Sequence, residues 1–133
     1  MKKTSYLLIS LFIISFLYSC SKSPSELIVG KWKIADIKTS EEIPEDQKEM
    51  YEQTMSDMKV SSKMEFKADG SYERTEADSP TKGKWKISKD VKTLALVEEN
   101  GEVTRKSIVE LSENKLILFY DYNKFTTTWK KVK

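Results

Sequence analysis

The sequence predicts an all-β fold: an eight-stranded antiparallel up-and-down barrel with one helix between the first two strands. Three observations carry that expectation. The pentapeptide Gly30-Lys31-Trp32-Lys33-Ile34 returns letter for letter as Gly83-Lys84-Trp85-Lys86-Ile87, and each copy alternates apolar and charged residues with the period of a half-buried strand. Two hairpin signals, Asp69-Gly70 and Asn100-Gly101, punctuate a run of such segments. Helical spacing occurs in one stretch, directly after the first strand. An even set of meandering strands closes on itself and leaves no open edge.

The first strand covers about 28–37, with Ile28, Gly30, Trp32 and Ile34 on one face and Lys31 and Lys33 on the other. Pro44 suits a first helical turn, and Glu45 and Asp46 follow where the helix dipole favours acids. Tyr51, Thr54, Met55 and Met58 then fall at i, i+3, i+4 and i+7, so the helix is expected over 45–59. Further strands are expected at about 62–68, 71–76, 82–88, 92–98, 102–111, 115–121 and 124–131. Between them stand Asp69-Gly70, a break at Asp78-Ser79-Pro80, a turn at Lys89-Asp90, Asn100-Gly101 and Glu113-Asn114. The last strand sets Phe125, Thr127 and Trp129 on one side.

The N-terminus is a separate unit. Lys2 and Lys3 precede a short apolar run, Tyr6 to Leu17, and small Ser19 stands before Cys20. This is the layout of a secretory signal, too short for a spanning helix. The ending Leu17-Tyr18-Ser19-Cys20 resembles the lipobox of bacterial lipoproteins, whose cysteine is acylated and becomes the mature N-terminus. The resemblance implies a signal peptide over 1–19, a lipid-anchored tether over 20–26 beginning at Cys20, and the barrel domain over 27–133. An ordinary signal peptide followed by a free thiol is the alternative. Several acyl chains, each CH₂ contributing ~0.8 kcal/mol, hold a protein stably on a membrane. Ser21, in place of an aspartate after the cysteine, points to the outer membrane facing the periplasm.

Charge excludes one class of partner. The full chain has 23 basic and 21 acidic residues, and removing Lys2 and Lys3 leaves 21 of each. There is no basic excess for nucleic acid. A single cysteine rules out an internal disulfide framework, so the core alone holds the fold.

Gly30-Lys31-Trp32 resembles the Gly-x-Trp of lipocalins and other calycins. Phe66-Lys67-Ala68-Asp69-Gly70-Ser71-Tyr72 and Gly83-Lys84-Trp85 look like the small lipocalin-like lipoproteins of the bacterial envelope. The resemblance implies a barrel that takes a small hydrophobic or amphipathic ligand, with no cofactor. Lipocalins cover their first-strand tryptophan with an arginine near the C-terminus; here Lys130 and Lys131 are the nearest cations.

Catalytic chemistry is sparse. The chain has no histidine and one thiol, which removes the commonest bases, soft-metal ligands and nucleophilic pairs. Glu41-Glu42, Glu45-Asp46 and Glu98-Glu99 read as solvated charge rather than a glycosidase pair or a metal site. A non-enzyme is expected.

Strand direction sorts the candidate residues. With the first strand rising from a closed base, Gly30, Trp32 and Trp129 form a base plug, while Trp85, opening a falling strand, is expected nearer the mouth. Arg74 keeps register with Tyr72, and Arg105 with Val103, Val109 and Leu111, so both arginines are expected inward and Arg105 near the mouth. They read either as a counter-charge for an anionic apolar ligand, with Tyr120 adding a hydroxyl, or as an internal ion pair or outward-facing residues. Tyr51, Met55 and Met58 read either as an adaptable lid or as the seal of a dry core. Two functions follow. The first is a lipid-anchored binder of a small apolar or amphipathic molecule. The second is a filled barrel that acts as an envelope interaction or assembly subunit, its protein partner not named by the sequence.

Overall fold

The computed structural model of the chain describes residues 22–133. The expected signal peptide and Cys20 lie outside them. Helix α1 (Pro24–Ile28) comes first, then β1 (Gly30–Thr39), a 3₁₀ turn (Glu45–Gln47) and helix α2 (Lys48–Ser61). The remaining strands are β2 (Lys63–Phe66), β3 (Ser71–Glu76), β4 (Ser79–Ile87), β5 (Thr93–Glu98), β6 (Val103–Leu111), β7 (Lys115–Tyr120) and β8 (Phe125–Val132). Each strand pairs antiparallel with the next, and β8 closes on β1 to complete the barrel.

Local chemistry explains the differences from expectation. Residues 24–28, expected as tether and strand start, form α1 instead. Ser23 and Glu26 make a reciprocal capping box, and Pro24 occupies the first turn. The helical stretch expected over 45–59 is observed as the 3₁₀ turn running into α2, ending at Ser61. No chain break forms at Asp78-Ser79-Pro80. Ala77 and Asp78, with φ of 47° and 64°, make a tight two-residue hairpin turn, and β4 begins at Ser79.

The two poles of the barrel differ. At the base lie α1, the β2–β3, β4–β5 and β6–β7 turns, and the C-terminal end of β8. The base and middle are filled by Trp32, Met64, Phe66, Tyr72, Leu94, Leu96, Leu116, Leu118 and Trp129, all buried. Toward the mouth, β1 and β2 part. Their pairing covers only Gly30 to Lys33, and α2 packs against β1 with Met55 buried and Tyr51 and Met58 partly so. A bulge at Ala35 keeps both Ile34 and Ile37 inward.

Candidate ligand-binding site

The base is a clasp. The Trp32 indole donates to the Ile28 carbonyl at 2.8 Å, and the Lys131 ammonium lies 4.9 Å from the centroid of the Trp32 ring. The same ammonium donates to the Leu27 carbonyl at 2.7 Å. Lys131 thus ties the last strand, the first strand and α1 together. Desolvation, then the neighbouring Lys22, lowers its pKa. Trp129 lies beside this clasp in the closed half, its indole donating to Thr127 Oγ1 at 2.9 Å.

Trp85 belongs to the base as well, contrary to the expectation that it lies near the mouth. β4 starts three residues earlier than expected, so Trp85 falls near its lower end. Its backbone N–H donates to the Gly70 carbonyl, and its indole donates to the Lys67 carbonyl at 3.0 Å. Its ring meets Phe66 edge-on, with centroids 5.9 Å apart. It locks the β2–β3 turn.

Arg105 is also displaced from its expected place: it is exposed on the outer wall. Expected register linked it to Val109 and Leu111, but the β6–β7 ladder shifts between Ile108 and Glu110. The extra residue, Val109, is 63% exposed, and it inverts the inward–outward alternation on either side. Leu111 therefore stays inward while Thr104, Lys106 and Ile108 take the inward positions above the bulge. The inward cation of this strand is Lys106.

Lys106 sits among charged neighbours in the mouth-side half. Its ammonium lies 5.7 Å from the centroid of the Tyr120 ring. Arg74, inward as expected, reaches Glu98 at 3.2 Å and Glu76 at 3.6 Å. Glu98 was expected to be solvated and is instead the arginine's partly buried partner. Among the described residues Lys106 has no carboxylate within ion-pair distance. Desolvation lowers its pKa, Arg74 lowers it further, and Glu76 opposes them. Among the described residues the Tyr72 hydroxyl, on a residue 2% exposed, has no hydrogen-bond partner, and neither does Arg74 Nε. Burial raises the Tyr72 pKa, so the hydroxyl stays protonated and able to donate. Two cations therefore share the upper interior with two carboxylates, both turned toward Arg74, and the Tyr72 hydroxyl lies near Arg74 and Glu98 from the middle of the barrel.

Space is distributed differently. A cleft of about 790 Å³ opens between Ile37–Thr39 of β1, the 41–45 loop and the first turns of α2, where Tyr51 lines it. Smaller concavities of about 310 and 390 Å³ lie against the outer wall, beside Lys33 and Lys63 and beside Gly83. Leu94, Leu96, Leu116 and Leu118 line none of the three. Sequence reasoning named Arg74 and Tyr120, which lie in this cluster, and Tyr51, which lines the cleft; it named neither Lys106 nor Glu98 as a site residue and used Tyr72 only to set the register of Arg74. Nothing in the local sequence marks the Val109 bulge that exchanges Arg105 for Lys106.

A closed eight-stranded meander whose Gly-x-Trp strand is clasped by the final strand is a calycin-type barrel. Residues 28–118 match the family described as the lipocalin-like domain, and the chain belongs to that family. Its fold is similar to that of a lipocalin-like protein from Bacteroides uniformis, 13% identical, covering 80% of this chain and 99% of that one, with a TM-score of 0.55. A protein from Bacteroides eggerthii is similar at 13% identity, covering 79% of this chain and 99% of that one, with a TM-score of 0.56. A second Bacteroides uniformis protein, solved by NMR, is 19% identical over 82% of this chain and 92% of that one, with a TM-score of 0.54. At such identities the likeness is one of fold. No curated protein matches the chain in sequence.

Proposed function

We propose that this chain is a lipid-anchored, non-enzymatic binding protein for a small amphipathic anion in the cell envelope. The observation that carries this reading is the buried, unpaired Tyr72 hydroxyl beside Arg74 and the partnerless Lys106. Native interiors leave few such groups unsatisfied, and an anionic head group accepts hydrogen bonds from all three. The filled lower barrel directs the apolar tail toward the mouth, between the strands and α2. That helix packs Met55, Tyr51 and Met58 against the barrel, and these side chains would line the tail. Arg105 has no part in the site. Anchoring at Cys20 follows from the lipobox resemblance and puts the barrel on a membrane, with the outer membrane facing the periplasm as the expected place.

The test is a panel of twelve-carbon ligands with equal tails and different heads: carboxylate, sulfate, amine and alcohol. Binding is followed by tryptophan emission and by chemical shifts of the mouth-side strands. The anions are expected to bind, with a roughly ten- to hundred-fold loss in Lys106→Met and none in Arg105→Ala. Equal affinity for anion and amine, or no response to any ligand, overturns the reading.

The filled middle of the barrel favours a second reading. Leu94, Leu96, Leu116 and Leu118 leave the axis closed, and the cleft of about 790 Å³ is outside it. An interaction subunit with no small ligand fits that packing, and it is the reading left if the ligand panel is silent.

A further inference from the structure

We infer that the base of the barrel is a contact surface for an anionic lipid bilayer, so that the chain stands on the membrane with its mouth turned away. The inference deepens the anchoring reading above. Its first support is how charge is distributed. From Lys22 onward the chain carries as many acids as bases, yet they separate along the barrel axis. In the basal half lysines outnumber carboxylates, and in the mouth half carboxylates outnumber cations.

The basal lysines are also free to act. Lys67, Lys84, Lys86, Lys89, Lys92 and Lys130 are exposed, and none has a carboxylate within ion-pair distance among the described residues. The basal carboxylates are mostly engaged. Glu113 pairs with Lys22 and Glu110 with Lys115. Asp69 and Asp90 accept hydrogen bonds from Ser71 and Ser88 within their turns. At the mouth the reverse holds, with Glu41, Glu42, Glu49, Glu99 and Glu102 exposed and outside any ion pair among the described residues.

The second support is where the rest of the chain leaves. Lys22, the first described residue, is held at the base by Glu113 of the β6–β7 turn, so a chain acylated at Cys20, two residues earlier in sequence, is tethered at that pole. An anchor there brings the basic pole to the lipid first. Screening then keeps the poles independent. The ten residues of β1 extend roughly 33 Å, against a Debye length of about 10 Å at 0.1 M salt. A charged bilayer at the base therefore meets the basic pole and not the zero net charge. Attraction at the base and repulsion at the mouth turn the barrel the same way.

The test uses the mature chain, extracted from membranes and beginning at Cys20, with vesicles of phosphatidylcholine alone, or with one third phosphatidylglycerol, both carrying a head-group nitroxide quencher. All three tryptophans lie in the basal half, so quenching reads the base directly. Sedimentation with neutral vesicles reads the anchor separately. On anionic vesicles quenching is expected to be several-fold stronger than on neutral ones and to collapse in about 0.5 M salt. Lys84→Glu with Lys86→Glu should weaken it by roughly five-fold per lysine, whereas Glu41→Lys with Glu42→Lys at the mouth should leave it intact. Equal quenching on both vesicles, or indifference to salt and to the lysine reversals, overturns the inference while leaving an anchored chain in the pellet. If the chain stays out of the neutral pellet, the anchoring reading fails. Salt-sensitive sedimentation with anionic vesicles then still supports the basal surface, and its absence overturns it.

Discussion

Lys131 and Lys106 are both inward-facing lysines, and their surroundings give them opposite work. Lys131 donates to the Leu27 carbonyl and covers the Trp32 ring, so both its charge and its stem contribute to the base. Lys131→Ala is expected to lower unfolding stability by about 1–2 kcal/mol, and Lys131→Arg to retain most of it, as read by urea titration. Lys106 is desolvated, partnerless and close to Arg74, so its charge opposes folding of the empty protein. Lys106→Met should be neutral or stabilising by about 1 kcal/mol while it weakens anion binding. The two effects have a common pH signature. The unfolded chain keeps this proton up to the ordinary lysine value of 10.5, and the folded chain releases it earlier. In that window the unfolded state holds more protons, so wild-type stability should rise with pH relative to Lys106→Met. Affinity for the anion should fall over the same window. An identical pH profile for the two proteins would remove Lys106 from the site.

At the scale of the element, the repeated pentapeptide shows one sequence meeting two constraints. Gly30 holds a φ of 139° where Lys131 crosses it. Gly83 has no such φ; a Cβ there would stand 2.0 Å from the Val97 carbonyl oxygen and 2.9 Å from the Tyr72 ring. Gly83→Ala should therefore cost about 3 kcal/mol in thermal or urea unfolding, since backbone of β5 is what it meets. The same element carries the two-residue turn that moved Trp85 to the base. Proline at Pro80 suggests a break, but positive φ at Ala77 and Asp78 lets the strands turn before it. The helix behaves differently again. Met55→Ala is expected to cost about 2–3 kcal/mol and to loosen α2 selectively, read as faster amide exchange in Lys48–Ser61 than in the strands.

Across the whole molecule, period-two alternation and turn residues were enough to read eight strands and their order, because each strand buries one face and declares it, and helical spacing gave α2 but not the short α1. The base was legible too, since Trp32 and Trp129 mark themselves by size and apolarity. The mouth-side site was only half legible. Arg74 follows an uninterrupted strand and points where alternation puts it. Arg105 lies beyond a bulge, and a bulge is set by packing across β6 and β7 rather than by residues beside it. The partner Glu98 lies 24 residues from Arg74, a proximity created when β3 and β5 flank β4. Charge polarity was hidden for a similar reason: lysines and glutamates alternate along the chain and separate only when the meander stacks every second turn at one pole.

Both ends of the described chain leave from that same pole. Lys131 touches Leu27, and Lys22 touches the β6–β7 turn, so the two ends are bridged already by side chains. The barrel is in effect a loop of eight strands that happens to be cut at its foot. Joining the ends by a short linker and reopening the chain at Tyr122-Asn123, in the exposed β7–β8 turn, should give a circular permutant with the same closed sheet. In that permutant a lipid or tag fused to the new terminus would hang the barrel upside down.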